Sequence, residues 1–214
     1  MMGWIAIFIG PVTAFAFWSL REFGFPNSIS ETGTLIDRTV ALLPFALGAL
    51  SLFSLSYAVT YSYDKLDRLF SLIMCIGFTI VAFQPCASAY LVSDRVGVFS
   101  LPQKVSGWVH NIGALVGFAS MILWVLRFRK SDKSKPEQTK EKQLRNKWYF
   151  GFSLLMSIAL VFFIFNIAGA FKEGFAIVFW LEFFVLVPCG LSCLIKGGLL
   201  FMDEVEKTEK RDAK

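Results

Sequence analysis

Charge is what this chain has least of. Asp, Glu, Lys and Arg make up only 17% of its 214 residues, where a soluble domain carries about a quarter, so a water-soluble globule is excluded. Histidine occurs once, at position 110, and a lone imidazole rules out most zinc frameworks. Cys75, Cys86, Cys189 and Cys193 all lie in apolar runs without CxxC spacing, and read as packed free thiols that behave as small hydrophobes. A nucleophile elbow, a phosphate-cradling glycine loop and an HExxH motif are all missing. No metal and no cofactor is expected. The opening Met1-Met-Gly-Trp4 has neither a basic n-region nor a small-residue cleavage site, so the first apolar run is read as a retained helix.

What the chain has in quantity is apolar surface. Hydrophobic residues reach 56%, with 24 phenylalanines, and mean hydropathy is +0.60. Six runs are long enough to cross a bilayer, at 2–20, 39–61, 69–92, 105–126, 148–171 and 175–195. These predict an all-α polytopic membrane protein, a six-transmembrane-helix bundle forming one domain over 1–195. A basic linker is read at 127–147 and a charged, frayed tail at 196–214. Sixteen of the Lys and Arg residues fall on the N-terminal side of these spans and five on the other, which places both termini in the cytoplasm of a bacterial inner membrane. The net charge of +5 therefore points to topology and lipid rather than to nucleic acid. Nine basic residues between Arg127 and Lys147 are expected to draw anionic head groups, at about 1 kcal/mol each. Pro44, Pro85 and Pro188 each remove a backbone donor from an apolar run. Breaks at equivalent places in the third and sixth helices are a transporter feature.

His110 lies inside the fourth run. At helical spacing Ser106, His110, Gly113, Gly117 and Ser120 share one stripe, and small residues in a stripe mark a helix–helix contact. Counting depth along each run places Gln84, His110, Asn166 and Glu182 in one slab, roughly 8–12 Å below the outer boundary. The cytoplasmic halves offer only Ser, Thr and Cys. Outer-loop residues Glu31, Asp94 and Arg95 are expected to cap a pocket floored by His110 and Glu182. His110 should approach Glu182 directly or through one water, because unpaired ionisable groups are disfavoured in a membrane. Interhelical hydrogen bonding, head-group recognition and catalysis are all compatible with such a cluster. For catalysis, His110 with Glu182 would act as an oriented base and Ser106 lies one turn away. A hard-cation site on Glu31, Asp94 and Glu182 lacks diagnostic spacing.

Ser28-Ile-Ser-Glu-Thr-Gly-Thr34 resembles the Ile-Ser-Asp-Thr-Gly signature of the DRAM/Frag/Sfk membrane family of autophagy modulators and GPI-lipid remodelling factors. His110-Asn-Ile-Gly-Ala114 is similar to the family's His-x-x-Gly-Ala pattern, and Phe179-Trp-Leu-Glu-Phe183 to its Glu-bearing sixth helix. Glu31 departs from the family by replacing Asp. Tyr63-Asp-Lys-Leu-Asp67, Leu144-Arg-Asn-Lys147 and Leu194-Ile-Lys-Gly197 also resemble stretches of small bacterial six-helix proteins of unknown function. The resemblance implies six helices in a lipid-related setting. The expected function is recognition of a lipid head group or lipid-linked molecule from the outer leaflet. Two alternatives stand beside it: a proton-coupled small-solute transporter or channel, and a lipid-modifying hydrolase or transferase using His110 with Glu182.

Overall fold

The computed structural model describes residues 3–9, 12, 28–29, 42–86, 94–133, 140–169 and 177–212. Residues 3–9 are helical and form the described part of α1. The other helices are α2 (Leu42–Thr60), α3 (Lys65–Phe83), α4 (Gln103–Lys133), α5 (Lys140–Ile167) and α6 (Ile177–Asp212). A two-stranded antiparallel hairpin, β1 (Arg95–Val96) and β2 (Leu101–Pro102), pairs Val96 with Leu101 between α3 and α4. Four helices are long and apolar enough to cross a membrane: α3, α4 to Lys130, α5 and α6 to Gly198. The chain is thus a mostly helical integral membrane protein, with the shorter apolar stretch Phe45–Thr60 in α2.

Large apolar side chains cover the outside. Phe45, Leu52, Val59, Ile76, Trp108 and Phe165 are all exposed, a surface that water would penalise and acyl chains accept. Inside, consecutive helices pack as neighbours from α2 through α6. Where α3 crosses α4, a Cβ on Gly77 would lie 2.7 Å from the Gly117 nitrogen and 2.9 Å from the Gly113 oxygen. The predicted small-residue stripe of α4 therefore lies against α3, where absent side chains let the two backbones meet. A second close crossing joins α1 to α6, where a Cβ on Gly3 would lie 2.6 Å from the Gly190 carbonyl oxygen.

Several boundaries differ from those expected, each for a local reason. Asp64 caps α3 by accepting the Asp67 N–H on Oδ1 at 2.9 Å, so this helix starts four residues before the predicted 69. It ends at Phe83 rather than 92, because the residue before a proline is driven out of the helical region; Gln84 is extended at φ −117°, ψ 115°. Pro188 does not break α6, which runs through it, as transmembrane helices tolerate when neighbours support the backbone. The matched pair of broken helices is therefore not present. The predicted linker is helical at both ends, leaving only 134–139 outside the described residues, and the predicted frayed tail is helical to Asp212.

Candidate functional site

Pro85 generates the chemistry at one end of the bundle. A helix that stops within a membrane leaves carbonyls without partners, and three of those around Pro85 are taken up by neighbouring elements. The Val98 N–H donates to the Phe83 carbonyl at 3.1 Å. His110 Nδ1 donates to the Gln84 carbonyl at 2.7 Å, and Ser106 Oγ to the Pro85 carbonyl at 2.8 Å. The Gln84 side chain then holds the hairpin: its Oε1 accepts from the Phe99 N–H at 3.2 Å, and its Nε2 lies 3.4 Å from the Val96 oxygen and 3.3 Å from Ser106 Oγ. Gly97 has φ +74°, and a Cβ there would overlap Gln84 Oε1, so glycine is required on both counts.

His110 is 3% exposed. The bond to the Gln84 carbonyl fixes the proton on Nδ1, so the lone pair of the neutral ring is on Nε2. That Nε2 is buried and has no hydrogen-bond partner among the described residues. Glu182 on α6, also 3% exposed, accepts the Ile29 backbone N–H on Oε2 at 2.6 Å. It faces a cavity of about 20 Å³ bounded by Ala114 and Phe118 of α4, Phe78 of α3 and Ile9 of α1. A space of this size takes one water-sized group.

The expected site is brought together only in part. Gln84, Ser106 and His110 form one network. Glu182 belongs to the cavity one turn along from His110, and the two side chains do not hydrogen-bond each other. The expected direct pairing is not formed: Glu182 accepts the Ile29 N–H, while His110 meets the Gln84 carbonyl through Nδ1 and its Nε2 has no partner among the described residues. Asn166, half-buried at the end of α5, joins neither group among the described residues. Asp94 and Arg95 are exposed; the Asp94 carbonyl accepts the Gln103 N–H at 3.3 Å, and the Arg95 guanidinium donates to the Ser100 carbonyl at 3.1 Å. Both contacts brace the hairpin. Glu31 lies outside the described residues. Among the described residues no cluster of three or more His, Cys, Asp or Glu could hold a metal ion.

The opposite end holds a charged network that side-chain depth alone did not reveal. Asp67 is 1% exposed and accepts on Oδ2 from the Tyr57 hydroxyl at 2.8 Å and the Tyr63 N–H at 2.7 Å. Arg127 donates to Asp64 Oδ2. Arg127, 8% exposed, is therefore committed to this pair and is not one of the solvated linker charges. The Arg129 guanidinium lies 4.8 Å from the centre of the Phe150 ring. Lys130, Lys140 and Lys147 remain exposed. The signal for this network was the Asp64/Asp67 spacing, which places an N-cap and a first-turn carboxylate together.

Comparison with protein-family models, with curated proteins and with solved structures finds no match for this chain.

Proposed function

We propose that this chain is a six-span bundle of a bacterial inner membrane, with both termini in the cytoplasm, that recognises the head group of a lipid or lipid-linked molecule in the outer leaflet. The observation that carries this reading is the buried Nε2 of His110, which has no hydrogen-bond partner among the described residues, at the same end as the Glu182 cavity. An imidazole lone pair and a carboxylate are both acceptors. Their complement is a donor, an ammonium or hydroxyl group of a head group, and the space beside Glu182 fits one such group. The Ile29 N–H now on Glu182 stands where a ligand donor would stand.

Orientation rests on the excess of Lys and Arg at the Asp64–Arg127 end, and the lipid setting on the resemblance to the DRAM/Frag/Sfk family. The transporter alternative loses its matched broken helices, since α6 continues through Pro188. For the enzyme alternative, the Ser106 hydroxyl donates to the Pro85 carbonyl rather than to His110.

The test separates the two nitrogens of His110. In His110→Asn the amide nitrogen takes the place of Nδ1 and keeps the Gln84 bond, while Nε2 disappears. Native mass spectrometry of protein purified from its own membranes should find a lipid that His110→Asn and Glu182→Gln both release, with His110→Asn folded. A lipid complement unchanged in both variants overturns the reading. A cysteine at Thr34 should react with an impermeant maleimide in spheroplasts and one at Ser134 should not; the reverse pattern overturns the orientation.

A further inference from the structure

Two of the four cysteines stand together. Cys189 and Cys193 are one turn apart on α6, a spacing that puts side chains on the same face with Cβ atoms about 5–6 Å apart. Their thiols interact directly, and both are free. Cys189 is wholly buried. Cys193 is half-buried and lines a cavity of about 360 Å³ at the Asp64–Arg127 end, beside Phe53 and Tyr61. Cys75 differs, since its sulfur lies 3.1 Å from Ser51 Oγ and ties α3 to α2. The turn that carries the pair is held on its other side. A Cβ on Gly190, between the two cysteines, would lie 2.6 Å from the Gly3 carbonyl oxygen of α1. Ser192 Oγ donates to the Pro188 carbonyl at 2.8 Å.

A disulfide needs Cβ atoms about 3.5–4.5 Å apart, so closing one here would draw the turn in by about 1 Å against its contact with α1. A soft ion between the sulfurs needs no such closure. Two metal–thiolate bonds of about 2.3 Å in line set the sulfurs roughly 4.6 Å apart. Structural zinc takes four ligands, and among the described residues no third His, Cys, Asp or Glu joins the pair. Thiolates without a harder ligand beside them favour Cu(I), an ion that accepts two ligands in line. We infer that Cys189 and Cys193 form a two-coordinate site for Cu(I), entered from the cavity beside Cys193. The ion displaces both thiol protons to water and leaves a bis-thiolate with one negative charge, so its affinity rises with pH. The site is independent of the Glu182 reading: it differs in place, in ligand and in the residues tested. It also gives two of the four thiols a role beyond packing.

The full-length protein in detergent is titrated anaerobically with Cu(I) held by bicinchoninate, a coloured chelator whose bleaching reports transfer to the protein. One Cu(I) per chain is expected, and X-ray absorption should find two sulfurs around it and no nitrogen or oxygen. Cys189→Ser and Cys193→Ser barely change the side-chain volume and should each weaken binding by about tenfold or more, a loss that even an outer-shell partner of a metal causes. Cys75→Ser should bind as the unaltered protein does. Should a serine variant misfold by circular dichroism, Cys193→Met decides, since it keeps a soft sulfur at the cavity wall and should still hold the ion through two sulfurs. No transfer from the chelator overturns the site. So does copper retained in a folded serine variant, lost equally in Cys75→Ser, or bound through nitrogen or oxygen. A disulfide between Cys189 and Cys193, found by peptide mapping after air oxidation, would overturn the geometry that disfavours it.

Discussion

Adding one methyl group at Gly77 tests the crossing on which the His110 network depends. A Cβ there would lie 2.7 Å from the Gly117 nitrogen, 2.8 Å from its Cα and 2.9 Å from the Gly113 oxygen. Favourable contacts begin near about 3.5 Å, so α3 and α4 must part by roughly 0.7 Å. All three obstructing atoms are backbone, and no rotamer change relieves the overlap. Overpacking of this kind costs about 1–3 kcal/mol, against which alanine gains up to about 1 kcal/mol of helix propensity. A net loss of about 1–2 kcal/mol is expected for Gly77→Ala. Carried along the helices, the same shift would lengthen the 2.7 Å bond from His110 to the Gln84 carbonyl past the limit of a hydrogen bond, about 3.2 Å. Gly48 supplies the control, since a Cβ there meets nothing within 4 Å; Gly48→Ala should be neutral or stabilising by up to about 1 kcal/mol. Reversible unfolding by SDS titration in mixed micelles measures both. Equal stability of the two variants would refute the described contact of α3 with α4.

Gly97→Ala should destabilise by about 1–3 kcal/mol, the scale for a strained left-handed residue, because its φ is +74° and its Cβ would overlap Gln84; limited proteolysis within 94–102 should accelerate, and unchanged cleavage would contradict the hairpin. A double-mutant cycle of Arg127→Gln with Asp64→Asn should give a coupling energy of about 1–2 kcal/mol, below the 3–5 kcal/mol lost when a fully buried pair is broken. The discount follows from the 36% exposure of the Asp64 side chain against 10% for Arg127, and strict additivity in SDS unfolding would show the pair to be uncoupled.

Periodicity made the α4 stripe readable, because a row of small residues one turn apart names the face that meets another helix whatever that helix is. Equal depth on separate helices carried less. Gln84, His110, Asn166 and Glu182 were placed at one level, but depth fixes height and not azimuth, and Asn166 falls away from the others. The competitor for His110 was also invisible in a list of side chains. It is a main-chain carbonyl freed next to Pro85, and every residue carries one. Asp67 was missed for the opposite reason. The segment Tyr63–Asp67 has the polarity of a loop, yet the Asp64 cap starts a helix there and turns Asp67 inward to Tyr57. Pro188 was overread, since a proline in an apolar run removes one donor but does not by itself end a helix supported by its neighbours.

Capping the Gln84 carbonyl requires one donor, and an asparagine or serine at position 110 would supply it with a smaller side chain. The imidazole brings a second nitrogen, buried without a partner among the described residues, and an unsatisfied buried acceptor costs about 1–3 kcal/mol. That surplus is an acceptor one helical turn along α4 from Ala114, which lines the cavity faced by Glu182. Scaffold repair accounts for Nδ1 of His110, for Ser106 and for Gln84, all of which are matched to backbone. It does not account for the nitrogen left over. A donor group brought to His110 Nε2 would relieve a desolvation cost that the described residues leave standing.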